Sequence, residues 1–132
     1  MRSREGCCDA DWVAVHCLIV DDNRDFLDAA RALLEREGLT IAGTASTRVD
    51  ALWKTETLRP DVVLVDVLLG EESGFELARR LVAGHARGAT VILISTHSEA
   101  DLAELVALSP AAGFLSKSEL SADAIRRFLD GS

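Results

Sequence analysis

The sequence predicts an α/β fold, a doubly wound (βα)5 sandwich built on a parallel five-stranded sheet. Three observations carry that prediction. Strand-like and helix-like segments alternate from about residue 12 to the end of the 132-residue chain. The strand segments are short apolar runs rich in β-branched residues, which suits strands covered on both faces. Two of these runs end directly in carboxylates: residues 13–20 lead into Asp21-Asp22, and residues 62–65 lead into Asp66.

The elements follow in order. Residues 13–20 read as the first strand. Residues 25–37 carry a helical stripe of Phe26, Leu27, Ala30, Leu33 and Leu34, closed by Gly38 as a C-cap. Residues 40–45 form a shorter, weaker strand, and residues 49–58 a helix broken by Pro60. Residues 61–66 make the central strand. Residues 73–83 are helical, with Phe75, Leu77, Ala78, Leu81 and Val82 on the apolar side. Residues 90–95 are a further apolar strand.

A helix is expected over residues 98–108, with Ser98 as N-cap, Asp101 in the first turn and a stop at Ser109-Pro110. Residues 113–116 are the last strand and residues 121–129 the last helix, capped by Ser121. Connections of a few residues between alternating elements imply right-handed crossovers, with helices on both faces of the sheet. Residues 1–11 read as a flexible polar leader, and residues 12–132 as one domain with no repeat or linker.

Composition narrows the function. A hydrophobic fraction of 48% and a mean hydropathy of +0.17 fit a sheet buried on both sides. No apolar stretch approaches the ~20 residues needed to span a bilayer, and the first residues lack a signal-peptide core, so a cytoplasmic protein without membrane contact is expected. The net charge of −8 argues against nucleic-acid binding by this domain alone, because that affinity rests on neutralising phosphates. Cys7, Cys8 and Cys17 lack a CxxC spacing; Cys17 reads as a small core residue.

In an open parallel sheet the C-terminal strand ends face the ligand crevice. Asp21, Asp22 and Asp66 therefore crowd one mouth. Three carboxylates at that distance repel, so the cluster implies a bound cation or a shifted pKa. The expected cation is Mg2+, in a site that handles phosphate.

Five features in order and spacing resemble the receiver domain of two-component response regulators, of the flavodoxin-like, chemotaxis-regulator type. They are Asp21-Asp22 after the first strand, Asp66 after the third, Gly74 in the loop beyond it, Ser95 ending the fourth, and Phe114 three residues before Lys117. The resemblance spans about residues 15–130 and implies the strand order 2-1-3-4-5.

It also implies roles. Asp66 would be the phosphoacceptor, forming an acyl phosphate. Mg2+ would be held by Asp21, Asp22, Asp66 and the Leu68 backbone carbonyl, with Asp21 acting through water. Lys117 would set its ammonium against one phosphoryl oxygen and Ser95 its hydroxyl against another. Thr96 could replace Ser95, although alternation along residues 91–94 and the distance to Lys117 favour Ser95. Phe114 reads either as core or as the family's switch, swinging inward as Ser95 moves.

The output surface would be the face of the fourth helix, fifth strand and fifth helix, including Ile125 and Phe128, with Arg126 and Arg127 able to pair across a homodimer. The implied partners are a sensor histidine kinase or phosphotransfer protein. The chain would be a phosphoacceptor with self-catalysed transfer and slow autodephosphorylation, not an enzyme, acting alone in a phosphorelay or driving a DNA-binding output domain.

Three departures from the family pattern stand out. Gly70 occupies a position usually held by Pro, which predicts a more mobile loop. Ser118 follows Lys117 where Pro is common, so no cis peptide is expected. Leu68, Thr96 and His97 flank the path of an attacking water; the apolar Leu68 and the bulk of Thr96 should slow loss of phosphate to minutes or hours, whereas His97 reads either as a polar guide for that water or as a solvated loop residue. His16 and His85 have no partner pattern. Two rival readings remain. An Asp-nucleophile phosphatase usually needs a second Asp where Leu68 stands. A pseudo-receiver binding module would not need the complete acid, hydroxyl and lysine set.

Overall fold

The computed structural model describes residues 15–69, 72–85, 88–96 and 102–130. The leader with Cys7 and Cys8, Gly70, His97, Ser98 and Asp101 lie outside the described residues.

A parallel sheet of five strands forms the centre: β1 (His16–Val20), β2 (Thr40–Ala45), β3 (Val62–Asp66), β4 (Thr90–Ser95) and β5 (Gly113–Ser116). Their spatial order is β2-β1-β3-β4-β5, as expected. Alternation divides the core between the two faces. Leu18, Val20, Val63, Val65, Val91, Leu93 and Phe114 pack with Ala51 of α2 (Arg48–Leu58) and Leu77 and Ala78 of α3 (Gly74–Arg80). Cys17, Ile19, Val62, Leu64, Ile92 and Ile94 pack with Leu27, Ala30 and Leu34 of α1 (Arg24–Arg36) and Ile125 of α5 (Ala122–Asp130). Fully burying one such aliphatic side chain contributes about 1.5–3 kcal/mol.

Local chemistry fixes the helix ends. The Asn23 side chain caps α1 by accepting the Phe26 N–H at 3.2 Å, so the helix begins one residue earlier than expected. Gly38 follows its end at φ 102°; the Gly38 N–H donates to Glu35 O and the Leu39 N–H to Leu34 O, a Schellman closure. Thr47 caps α2, and Arg59, in the left-handed region at φ 51°, ends it before Pro60. Ser73 caps α3 by accepting the Glu76 N–H. Beyond it, Leu81–His85 forms a widened turn that leaves helical geometry at Gly84. The described part of the fourth helix, α4 (Ala103–Leu108), contains no buried residue. At α5, Ser121 Oγ accepts the Ala124 N–H, while Glu37 at the end of α1 accepts the Ala122 N–H at 2.7 Å.

Two features were not foreseen. Leu68–Leu69 pairs antiparallel with Glu72–Ser73, so the segment beyond Asp66 contains a small two-stranded ladder. Glu72 Oε1 accepts the Arg48 N–H at 2.8 Å, tying that ladder to the start of α2. Ile125 needs a correction: it is 0% exposed and faces the sheet, so it cannot form part of an output surface. Phe128 is half-buried against the same cluster, whereas Arg127 is exposed.

Candidate functional site

Register brings the site together. Val20 pairs with Val65, Asp66 with Ile94, and Ser95 with Ser116, so these strands end along one edge. Asp21 and Asp22 follow β1, Asp66 closes β3, Ser95 closes β4, and Lys117 follows β5. The chain supplies these residues from distant positions, and in-register parallel pairing aligns them.

One carboxylate oxygen from each of Asp21, Asp22 and Asp66 falls within a 4.8 Å cluster. Asp21 is fully buried, Asp66 is buried and Asp22 is exposed. At that separation two carboxylates repel by roughly 3–4 kcal/mol at an effective dielectric of ~20. Lys117 offsets part of this. Its Nζ lies 2.5 Å from Asp21 Oδ2 and 3.5 Å from Asp66 Oδ2, and its side chain is 13% exposed.

The two oxygens of Asp21 face different groups. Oδ1 accepts the Asn23 N–H at 2.8 Å. Oδ2 is sealed from solvent and has no aligned hydrogen-bond donor; the nearby ammonium is its counter-charge. A sealed carboxylate oxygen of this kind, in a hard all-oxygen donor set, fits a small divalent cation such as Mg2+.

The acceptor candidate is electrostatically distinct. Asp66 is pushed up from the usual carboxylate value of 3.8 to about 6, first by burial and then by the charge of Asp21. Lys117 and the Leu68 N–H, 3.3 Å from Asp66 Oδ1, act in the opposite direction. Glycine keeps the segment after Asp66 close to α3. A Cβ at Gly74 would collide with the Asp66 carbonyl oxygen and the Val67 backbone, and the Gly74 N–H donates to Val67 O.

The remaining residues singled out in the sequence are placed as follows. Ser95 is buried at the end of β4, whereas Thr96 beside it is exposed. Leu68 is 58% exposed. Phe114 is 8% exposed and packed within the core face shared with α2 and α3. In this conformation the ring stands inside, where burial of the phenyl group is favourable. Every described peptide bond is trans. His16 does have a partner: its N–H donates to Asp61 Oδ2 at 2.8 Å, and its Nδ1 lies 3.5 Å from the same oxygen.

A family model of the response regulator receiver domain matches residues 17–129. The chain belongs to the response regulator receiver domain family. Among relatives, this receiver domain is 33% identical over 104 residues to the response regulator UvrY of Escherichia coli, covering 78% of this chain and 47% of that protein. It is 30% identical over 105 residues to the response regulator GacA of Pseudomonas viridiflava, covering 78% and 48%. The receiver domain thus spans about half the length of these relatives.

Solved structures agree on the fold. The receiver domain of a modulated diguanylate cyclase from Desulfovibrio desulfuricans superposes with a TM-score of 0.73 at 29% identity, covering 89% of this chain and 92% of that one. The receiver domain of the response regulator NarL from Mycobacterium tuberculosis gives 0.76 at 25% identity, covering 89% and 95%. Family membership supports a place in two-component signalling. Among the described residues, no helix is long and apolar enough to cross a membrane.

Sequence reasoning missed three contributors around the site. Asn23 and Phe26 follow the Asp21-Asp22 pair, and the spacing Asn-x-x-Phe is a helix-cap signal that could have revealed the first. Phe26 was read only as part of a core stripe. Glu72 carried no local signal, because its partner is a backbone N–H distant in the chain.

Proposed function

We propose that this receiver domain accepts a phosphoryl group on Asp66 and converts it into a surface change read by a partner. The observation that carries the proposal is the placement of buried Asp66 beside buried Asp21 with the Lys117 ammonium against both, and a second acid, Asp22, exposed in the same cluster.

A carboxylate oxygen of Asp66 attacks phosphorus while the bond to the donor breaks, and the electron pair leaves with the donor. A histidine kinase or phosphotransfer protein supplies the group as a phosphoimidazole. The product is an acyl phosphate. Asp21, Asp22, Asp66 and the Leu68 carbonyl would hold Mg2+, which when bound supplies positive charge beside the transferring oxygens. Lys117 contributes the protein's own positive charge, already positioned at the crevice wall. Ser95 offers a hydroxyl from the adjacent strand end.

The transferred group brings up to about two negative charges and several strong acceptors. Lys117 and Ser95 respond to it, and the loops after β4 and β5 move with them. Because Phe114 already sits inside, its part is repacking beside Ser95. A shift from 1:99 to 99:1 requires ~5.5 kcal/mol of differential stabilisation, within reach of a few charge-assisted hydrogen bonds of ~1.5–3 kcal/mol each.

The readout surface is α4 with β5 and α5. Leu105 and Leu108 of α4 are 50% and 80% exposed, and they are its apolar contact residues. The whole protein's output is a DNA-binding or other domain, or a second copy of this chain. Sedimentation with and without beryllofluoride in Mg2+ buffer tests the switch. A change in mass or in partner binding supports it; an unchanged profile in both assays counts against it.

A further inference from the structure

Lys117 is held from a third side that its ionic partners do not supply. Its Nζ lies 4.2 Å from the centroid of the Phe26 ring, within cation–π range. We infer that Phe26 is a positioning residue for Lys117, holding the ammonium at the crevice wall where a phosphoryl oxygen arrives. This inference rests on the proposed role of Lys117 in phosphoryl transfer.

The contacts form a closed circuit. Asp21 uses Oδ2 against Lys117 and Oδ1 to accept the Asn23 N–H. The Asn23 side chain accepts the Phe26 N–H, which fixes the start of α1 and the position of the ring. The ring face returns to Lys117. Lysine has a flexible four-carbon stem and a compact charge, so two carboxylates on one side define a direction without confining the ammonium. An aromatic face on the other side confines it. Desolvation strengthens that contact, and the Lys117 side chain is 13% exposed.

Phe26 also packs against the core face shared by α1 and α5. A purely apolar role predicts that Leu or Met would serve as well. A positioning role predicts that only another aromatic ring would.

The test compares Phe26→Leu, Phe26→Met and Phe26→Tyr in the intact chain, each checked for folding by thermal melting. Two readouts are taken. The first is NMR of the Lys117 Cε protons, which should be shifted upfield by the ring in the parent and in Phe26→Tyr and lose that shift with Leu or Met. The second is the rate of labelling by acetyl phosphate in Mg2+ buffer. It should fall about three- to tenfold with Leu or Met, recover with Tyr, and show no further fall when Phe26→Leu is added to Lys117→Met.

Parent-like labelling with Leu or Met overturns the inference, as does an equal fall from Phe26→Leu in the Lys117→Met background. So does an absent ring shift in the parent. If the parent takes no label at all, the proposed function fails instead, while the NMR readout still decides the contact.

Discussion

Asp21 Oδ2 and Lys117 Nζ meet 2.5 Å apart, with the Asp21 side chain fully enclosed. This contact joins the ends of β1 and β5 and places the only close cation against an acid cluster, among the described residues. Breaking a buried pair by removing one partner typically costs about 3–5 kcal/mol, because the other charge is stranded.

Lys117→Met should therefore lower stability in chelator by about 3 kcal/mol, read from the urea midpoint. The same substitution should raise Mg2+ affinity by about tenfold, since the ammonium no longer competes for the same oxygens. Calorimetric titration checks the second effect. Unchanged Mg2+ affinity would mean that Lys117 and the cation do not share Asp21 and Asp66.

Asp66 gives the fold a pH dependence of unusual sign. Its folded-state pKa is raised from 3.8 to about 6, so between those values the folded chain holds a proton that the unfolded chain has lost. Stability is fully present below about pH 4 and is lost as pH rises through 6. At ~1.4 kcal/mol per pKa unit, the loss is on the order of 2–3 kcal/mol. In chelator, Asp66→Asn should be more stable than the parent at pH 7 by a similar amount and should lack this slope. Urea midpoints from pH 4 to 8 test it; parallel curves for the two proteins would refute it.

Gly74 and Gly84 should respond very differently to alanine. At Gly74 the added Cβ meets the Asp66 carbonyl oxygen and the Val67 backbone, whereas at Gly84 it meets nothing within 4 Å. Gly74→Ala should cost about 1–3 kcal/mol and slow labelling by displacing the segment after Asp66. Gly84→Ala should stay within about 0.5 kcal/mol of the parent. Thermal melts and labelling rates on both variants check the contrast.

Leu68 stands two residues after the proposed acceptor Asp66 and is 58% exposed, an apolar side chain open to solvent. A polar residue there could orient water. Leu68→Asn should shorten the lifetime of the acyl phosphate several-fold from a parent value of minutes to hours. The decay of label after donor removal measures it, and an unchanged lifetime would assign the slow step elsewhere.

Much of this was legible because sequence pattern and tertiary structure agree. The apolar runs of β1, β3 and β4 are buried along almost their whole length, and the acids at their ends fall on one edge because parallel strands pair in register. The ladder at Leu68–Leu69 was not legible, since two-residue strands carry no periodicity. The burial of Ile125 on the sheet-facing side of α5 was legible in principle, from its place on the apolar stripe of that helix. Phe26 shows a different limit. A core stripe and a cation–π platform look alike in sequence, and only the approach of Lys117 separates them.

The central claim is that Asp66 is the phosphoacceptor. Its most direct test is intact-protein mass spectrometry after acetyl phosphate treatment in Mg2+ buffer, with the modified residue mapped by borohydride reduction. The account predicts a single phosphoryl adduct on Asp66, absent in Asp66→Asn and absent in chelator. No adduct on the folded parent, or an adduct that persists in Asp66→Asn, would contradict it.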